Sequence, residues 1–239
     1  GYYDRFVGRL MFPIHDNRGR TVAFGARILP GSERGDAPKY LNSPETPLFV
    51  KREMLYGFAL ARGDIVRSGV GVMVEGYTDC ILAHQAGQKN VLAPLGTALT
   101  DRHVQLMKRH AKRAVLVFDG DDAGQKAAIR AIDVFLSHDM EIRLCSLPEG
   151  QDPCNVIRDQ GEAAFRAYVD GAEDALEFYL DTLMKRFDIS TTSGKYAISQ
   201  ELAAVLTRAP RTVAGYDVNR QVREDLILGR MSHRLGIPE

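Results

Sequence analysis

The chain has 239 residues, in which 31 Lys plus Arg are balanced by 31 Asp plus Glu and 45% of positions are hydrophobic. That apolar share buries a sizeable core, so one compact domain with an appendage or two to three lobes is expected. Zero formal charge argues against a protein that coats nucleic acid through a general positive field. No apolar run reaches bilayer length and the first residues are neither a signal nor a transit peptide, so a cytoplasmic protein without a membrane partner is expected. Cys80, Cys145 and Cys154 contain no CxxC pair, which points away from a disulfide framework and from a structural zinc site.

The first third carries the positive charge, with eleven Lys and Arg against seven Asp and Glu over residues 1–67. Two strand-like runs, Arg9 to Ile14 and Thr21 to Leu29, flank the turn residues Asp16, Asn17 and Gly19, and predict a β-hairpin. Pro13 prefers an edge strand, and Gly25 marks a close approach. Residues 30–50 hold four prolines and little periodicity, so a loop or a set of turns is expected. Arg27, Lys39, Lys51 and Arg52 offer charges and forked donors to phosphate, and Tyr40 offers a stacking face, with a solvated polar loop as the competing reading. Residues 53–63 look helical and lead to Gly69.

From Val70 the pattern alternates. Strands are predicted at Val70 to Val74, Asn90 to Pro94, Ala114 to Phe118 and Glu141 to Ser146; helices are predicted near Asp79 to Ala86, Thr100 to Arg109 and Asp122 to Ser137. This is a small doubly wound α/β sheet, mostly parallel. Thr100 suits a helix cap, and Leu95-Gly-Thr97 suits a tight loop. Cys80 and His84 read as a buried thiol and an ordinary surface imidazole. His103 and His110, among Lys108, Arg109, Lys112 and Arg113, read as a solvated helix face. From Glu162 onward apolar repeats such as Leu176, Tyr179, Leu180 and Leu183, then Leu202, Val205 and Leu206, predict a helical bundle divided by Ser190 to Gly194 and by Pro210.

Two strands end in acid. The run to Val74 breaks into Glu75-Gly76, and the run to Phe118 into Asp119-Gly-Asp121; sites in open α/β sheets collect outside such strand ends. Three crowded carboxylates take up protons unless a cation sits among them. Oxygen ligands without a matching His or Cys set favour Mg²⁺ or Mn²⁺ over zinc, and ions so held usually grip phosphate. Asp152, before Pro153, is either another rim carboxylate or a helix cap.

Glu75-Gly76 and Asp119-Gly-Asp121 resemble the Toprim module of primases, topoisomerases, some nucleases and recombination mediators. Lys39-Tyr-Leu-Asn-Ser-Pro-Glu-Thr46, with Met11 to Ile14, Phe24-Gly25, Glu75-Gly-Tyr-Thr-Asp79 and Leu95-Gly-Thr97, resembles the RNA polymerase domain of bacterial replicative DNA primases over essentially the whole chain. The resemblance implies a DNA-directed RNA polymerase that makes short primers from ribonucleoside triphosphates on single-stranded DNA, and a contact with the replicative helicase through a domain outside this chain. It implies that Glu75, Asp119 and Asp121 hold catalytic Mg²⁺ or Mn²⁺ with help from Asp79 and Asp152, and that Arg27, Lys39, Asn42 and Lys51 contact nucleotide or template. It divides the chain into a basic α+β lobe at 1–67, a Toprim-like catalytic domain at 68–160 and a helical subdomain at 161–239. Cys154 departs from the family's Asp-Pro-Asp pattern, and a neutral thiol is a poor ligand for a hard ion. Family members also carry an amino-terminal zinc-binding domain, so the chain is expected to begin partway into the catalytic core. A Toprim nuclease or topoisomerase, and a non-enzymatic nucleic-acid-binding Toprim protein, are the alternatives.

Overall fold

A computed structural model of the chain describes residues 1, 3–32, 37–119, 122–136, 138, 140–208 and 218–236. The predicted hairpin forms from β1 (Arg9–His15) and β2 (Thr21–Ile28), paired antiparallel with Pro13 opposite Phe24. Asp16 closes the turn: its Oδ1 accepts from the N–H groups of Arg18 and Arg20, each at 2.9 Å, the local bond that makes Asp a turn former. β1 is the edge strand of a sheet ordered β1-β2-β3, which is where a strand proline is tolerated. The third strand corrects the reading of 30–50 as loop. β3 (Tyr40–Asn42) pairs with Gly25 to Arg27, and three residues are too few to show alternation.

The next segment turns once as a 3-10 helix at Lys51–Glu53, and α1 (Phe58–Ser68) begins five residues later than the sequence suggests. In between, Tyr56 makes an isolated bridge to Ala93. α1 stops at Gly69, whose φ of 71° lets its N–H reach the Ile65 carbonyl, a left-handed cap that glycine adopts at low cost.

The second sheet alternates with helices as predicted: β4 (Val70–Met73), α2 (Tyr77–Gln85), β5 (Val91–Leu92), α3 (Asp101–Lys108), β6 (Arg113–Phe118), α4 (Asp122–Leu136), β7 (Glu141–Ser146), α5 (Pro153–Gln160) and α6 (Glu162–Asp170). Strand order is β5-β4-β6-β7, all parallel, with β8 (Glu173–Asp174) added antiparallel at the β7 edge. Alternate strand residues separate into two cores, as a two-residue repeat requires. Met73, Leu116 and Leu144 join α1, α3 and α4 on one face, while Val72, Val115, Val117 and Cys145 join α2, α5 and α6 on the other.

The carboxyl-terminal part is helical in α7 (Ala175–Arg186), α8 (Thr192–Arg208) and α9 (Val218–Leu235), but it opens with β8 (Glu173–Asp174), an antiparallel edge pair with β7. Leu176, Leu180, Leu183, Ile198 and Leu202 share one buried cluster with Leu116 and Leu144. Pro210, expected to divide the helices, lies outside the described residues. No described helix is long and apolar enough to cross a membrane.

Two histidine readings are corrected. His103 is 0% exposed; its Nδ1 accepts from the Thr100 N–H at 3.3 Å and its Nε2 donates to the Lys51 carbonyl at 3.0 Å. Thr100 caps α3 as expected, and its hydroxyl donates to the Arg52 carbonyl at 2.6 Å. The start of α3 is therefore bolted to the 3-10 turn rather than solvated. His84 is half-buried with Nε2 2.8 Å from the Val91 carbonyl, whereas Cys80 is buried as read.

Burial holds the His103 imidazole below its ordinary 6.5, against the pull of the Lys51 and Met54 carbonyls. A depressed imidazole contributes stability in full above the unfolded value, and loses it as pH falls below that value towards the folded one. His103→Leu leaves two backbone groups unpartnered and is expected to cost about 1–3 kcal/mol at neutral pH. The gap to wild type should narrow in acid, which urea unfolding at about pH 8 and about pH 5.5 would test.

Candidate active site

The chain runs from β4 to β5 on one side and then crosses back past β4 to β6 on the other, so the crevice of the sheet opens between the carboxyl ends of β4 and β6. Glu75 lies two residues past Met73, and Asp119 directly follows Phe118. The two meet: Glu75 Oε1 accepts from the Asp119 N–H at 3.2 Å. Glu75 is exposed, while Asp119 is half-buried with its Oδ1 shielded from solvent. Asp121 lies outside the described residues. Gly124, in the first turn of α4, is what lets that helix approach the rim. A methyl group there would stand 2.3 Å from the Asp119 carbonyl oxygen.

Asp79, Asp152 and Cys154 form a second group, with one ligand atom from each lying within 4.8 Å of the others. Both carboxylates also cap helices. Asp79 accepts from the Gly76 N–H at 3.1 Å, and Asp152 accepts from the Asn155 N–H at 2.6 Å with Pro153 at the first helical position. The two readings of Asp152 are therefore compatible. Burial pushes the Asp79 carboxyl up, a hydrogen bond with the Cys154 thiol pulls it back, and the Asp152 charge pushes it up again. The Cys154 thiol is pushed far up by burial and by its bond to Asp79, so it stays protonated at neutral pH. The carboxylate oxygens are the ligand type a hard dication takes; the protonated thiol is not.

The basic hairpin faces this cluster. Arg27 on β2 pairs across the sheet with Tyr40 on β3, its guanidinium carbon 5.5 Å from the ring centroid, and Lys39 Nζ is 5.8 Å from the same ring. Cations over an aromatic face are held by its quadrupole. The Arg27 charge is felt at Cys154, and the Tyr40 hydroxyl lies 3.4 Å from Thr78 Oγ1 at the start of α2.

Asn42 sits deeper than a loop residue. Its Nδ2 donates to the Leu95 carbonyl at 3.0 Å, and its Oδ1 is buried where a methyl on Gly25 would come within 3.1 Å. The close approach expected at Gly25 is thus made by Asn42 and Tyr77. Lys51 is half-buried in the 3-10 turn, its N–H donating to Glu45 Oε1 at 2.9 Å. Tyr77, the aromatic inside Glu-Gly-Tyr-Thr-Asp, escaped the reading of single residues; its one signal was a large ring between two acids at a helix start.

The family model of the DNA primase catalytic core, N-terminal domain, matches residues 1–62, and the Toprim-like model matches residues 72–157. A crystal structure of a DNA primase domain from Pseudomonas aeruginosa superimposes with a TM-score of 0.86 at 39% identity, covering 99% of this chain and 71% of that one. A DnaG primase catalytic domain bound to single-stranded DNA gives 0.86 at 34% identity, covering 99% and 72%. The DNA primase of Streptomyces coelicolor is 38% identical over 227 residues, 93% of this chain and 35% of that protein. The chain spans about a third of the length of the curated relatives it matches. A parallel sheet with carboxylates at its switch point, fused to a basic antiparallel lobe, thus defines a Toprim-containing protein. Within that class, the chain belongs to the family of DnaG-type DNA primase catalytic cores.

Gly124→Ala is expected to shift Asp119, because backbone rather than a flexible side chain opposes the added methyl. The cost is about 1–3 kcal/mol of stability. A thermal melt and a Mn²⁺ titration, read by the water-proton relaxation of the bound ion, would show both the lower midpoint and weakened binding.

Proposed function

We propose that this chain is the catalytic core of a DNA primase, joining ribonucleotides into short RNA primers on a single-stranded DNA template. The observation that carries the proposal is the Glu75–Asp119 meeting at the switch point, opposite a hairpin that presents Arg27 and Lys39 around Tyr40. Glu75, Asp119 and Asp121 would hold Mg²⁺ or Mn²⁺, with Asp79 and Asp152 behind them. When bound, such an ion neutralises charge on the reacting phosphoryl group and on the departing pyrophosphate.

The chain's own residues then bind and orient. Arg27, Lys39 and Lys51 supply cations to the triphosphate or the template backbone, and Asn42 holds the loop beneath them. No side chain acts as nucleophile, because the attack comes from the 3′ hydroxyl of the growing primer. Residues 1–67 serve as the basic lobe, 68–160 as the catalytic domain and 161–239 as a helical subdomain packed on it. The single-stranded DNA in one structural neighbour supports the template assignment. In this reading the protein works in the bacterial cytoplasm and meets its helicase through a region outside this chain.

The full-length protein, given single-stranded DNA, Mn²⁺ and labelled ribonucleotides, is expected to make short RNA. Asp119→Asn should lower synthesis by at least about 100-fold with an unchanged fold. Nicked DNA without RNA product would instead assign the rim to a nuclease, and undiminished Mn²⁺ affinity in Asp119→Asn would remove Asp119 from the metal site.

A further inference from the structure

Tyr77 lies between the two sets of carboxylates, two residues after Glu75 and two before Asp79. It starts α2, yet its side chain leaves the second sheet and enters the underside of the first, where it is 5% exposed. Three rings surround it. Phe12 of β1 is 5.1 Å away between centroids, Tyr40 of β3 meets it edge-on at 5.5 Å, and Tyr56 lies at 5.5 Å. The Tyr77 hydroxyl donates to the Ala26 carbonyl at 3.4 Å. Below the ring is Gly25, where a methyl would come within 3.2 Å of Tyr77 Cε1 and Cζ. Tyr56 is itself tied to the second sheet, its N–H bonded to the Ala93 carbonyl at 2.7 Å.

The geometry points to Tyr77 as a positioning residue that sets how far the Arg27–Lys39 hairpin stands from the acidic rim. The deduction rests on the function proposed above. Residues 75–79 carry the rim carboxylates and the ring on one short backbone segment, so the ring's seat against Phe12 and Tyr40 fixes how far the hairpin stands from Glu75 and Asp79 without touching either carboxylate. The ring is not part of the second sheet's core on that face, to which α2 contributes Cys80 and Ala83. A triphosphate spanning the crevice needs the cations on one lobe and the carboxylates on the other at a set separation, and misplacement by about 1 Å costs on the order of 100-fold where such groups must act together.

The test titrates the full-length protein first with Mn²⁺ alone and then with ATP in the presence of Mn²⁺, in wild type, Tyr77→Leu, Tyr77→Phe, Gly25→Ala and the Gly25→Ala/Tyr77→Leu pair. Tyr77→Leu is expected to keep its Mn²⁺ affinity within about twofold and to lose at least about tenfold in ATP affinity. Tyr77→Phe keeps the ring contacts and should behave as wild type. Gly25→Ala wedges the ring from the other side, together with the neighbouring Asn42 Oδ1, and should reproduce the loss, while the pair should lose less than the two single effects combined, as expected where part of both effects runs through one contact. Unchanged ATP affinity in Tyr77→Leu, parallel loss of Mn²⁺ and ATP, or a Phe variant as damaged as the Leu variant would each overturn the inference. A wild type that takes Mn²⁺ but no ATP would overturn the proposed function itself, whereas a wild type that takes both and a matching Tyr77→Leu chain overturns the inference alone.

Discussion

Like charges must be brought together and held, and the adjacency of β4 and β6 meets that constraint. The two strands run parallel with Met73 beside Leu116, so their ends deliver Glu75 and Asp119 to one edge of the sheet. There the Asp119 N–H supplies a donor to Glu75 Oε1. One hydrogen bond does not cancel the repulsion of neighbouring carboxylates, and the rest of the arrangement answers that demand with cations or with a captured proton. Gly124 keeps α4 close enough for the rim to stay compact.

The second acidic group shows a different answer to the same problem. Asp79 and Asp152 each spend one oxygen on a helix start, where backbone N–H groups and the helix dipole favour negative charge. Cys154 then donates to Asp79, filling with a hydrogen bond a position that a third carboxylate would have made more negative. The two acidic sets are therefore not equivalent: the exposed Glu75 faces the crevice, while Asp79 is 9% exposed and partly committed to structure.

The two sheets are joined less by their backbones than by side chains that cross between them. Asn42 bonds the Leu95 loop, His103 bonds the Lys51 carbonyl, and Tyr40 reaches Thr78. Each crossing lies near a residue of the proposed phosphate or metal contacts. The polar crossings explain why residues that read as loop or solvated surface are instead held in place: a buried imidazole or amide requires partners, and those partners come from distant sequence.

Much of this was legible beforehand because the relevant signals are local. Alternation of apolar strands with helical repeats, glycine after a helix and acid after a strand all act within a few residues, so the hairpin, the alternation of β4 to β7 with helices and the acidic strand ends were readable. Three-residue β3, two-residue β8 and the buried role of His103 were not, because each depends on partners distant in sequence: 13 to 17 residues away for β3, 29 to 31 for β8 and 52 for His103. The sequence by itself determined which residue types stand at the strand ends and hence what chemistry is available there. Only the tertiary structure decided which acids meet, that Asp79 joins Asp152 and Cys154 while Glu75 joins Asp119, and that an aromatic ring between them belongs to the opposite sheet. Strand order and lobe packing are set by burial summed over the whole chain, and no local pattern carries that sum.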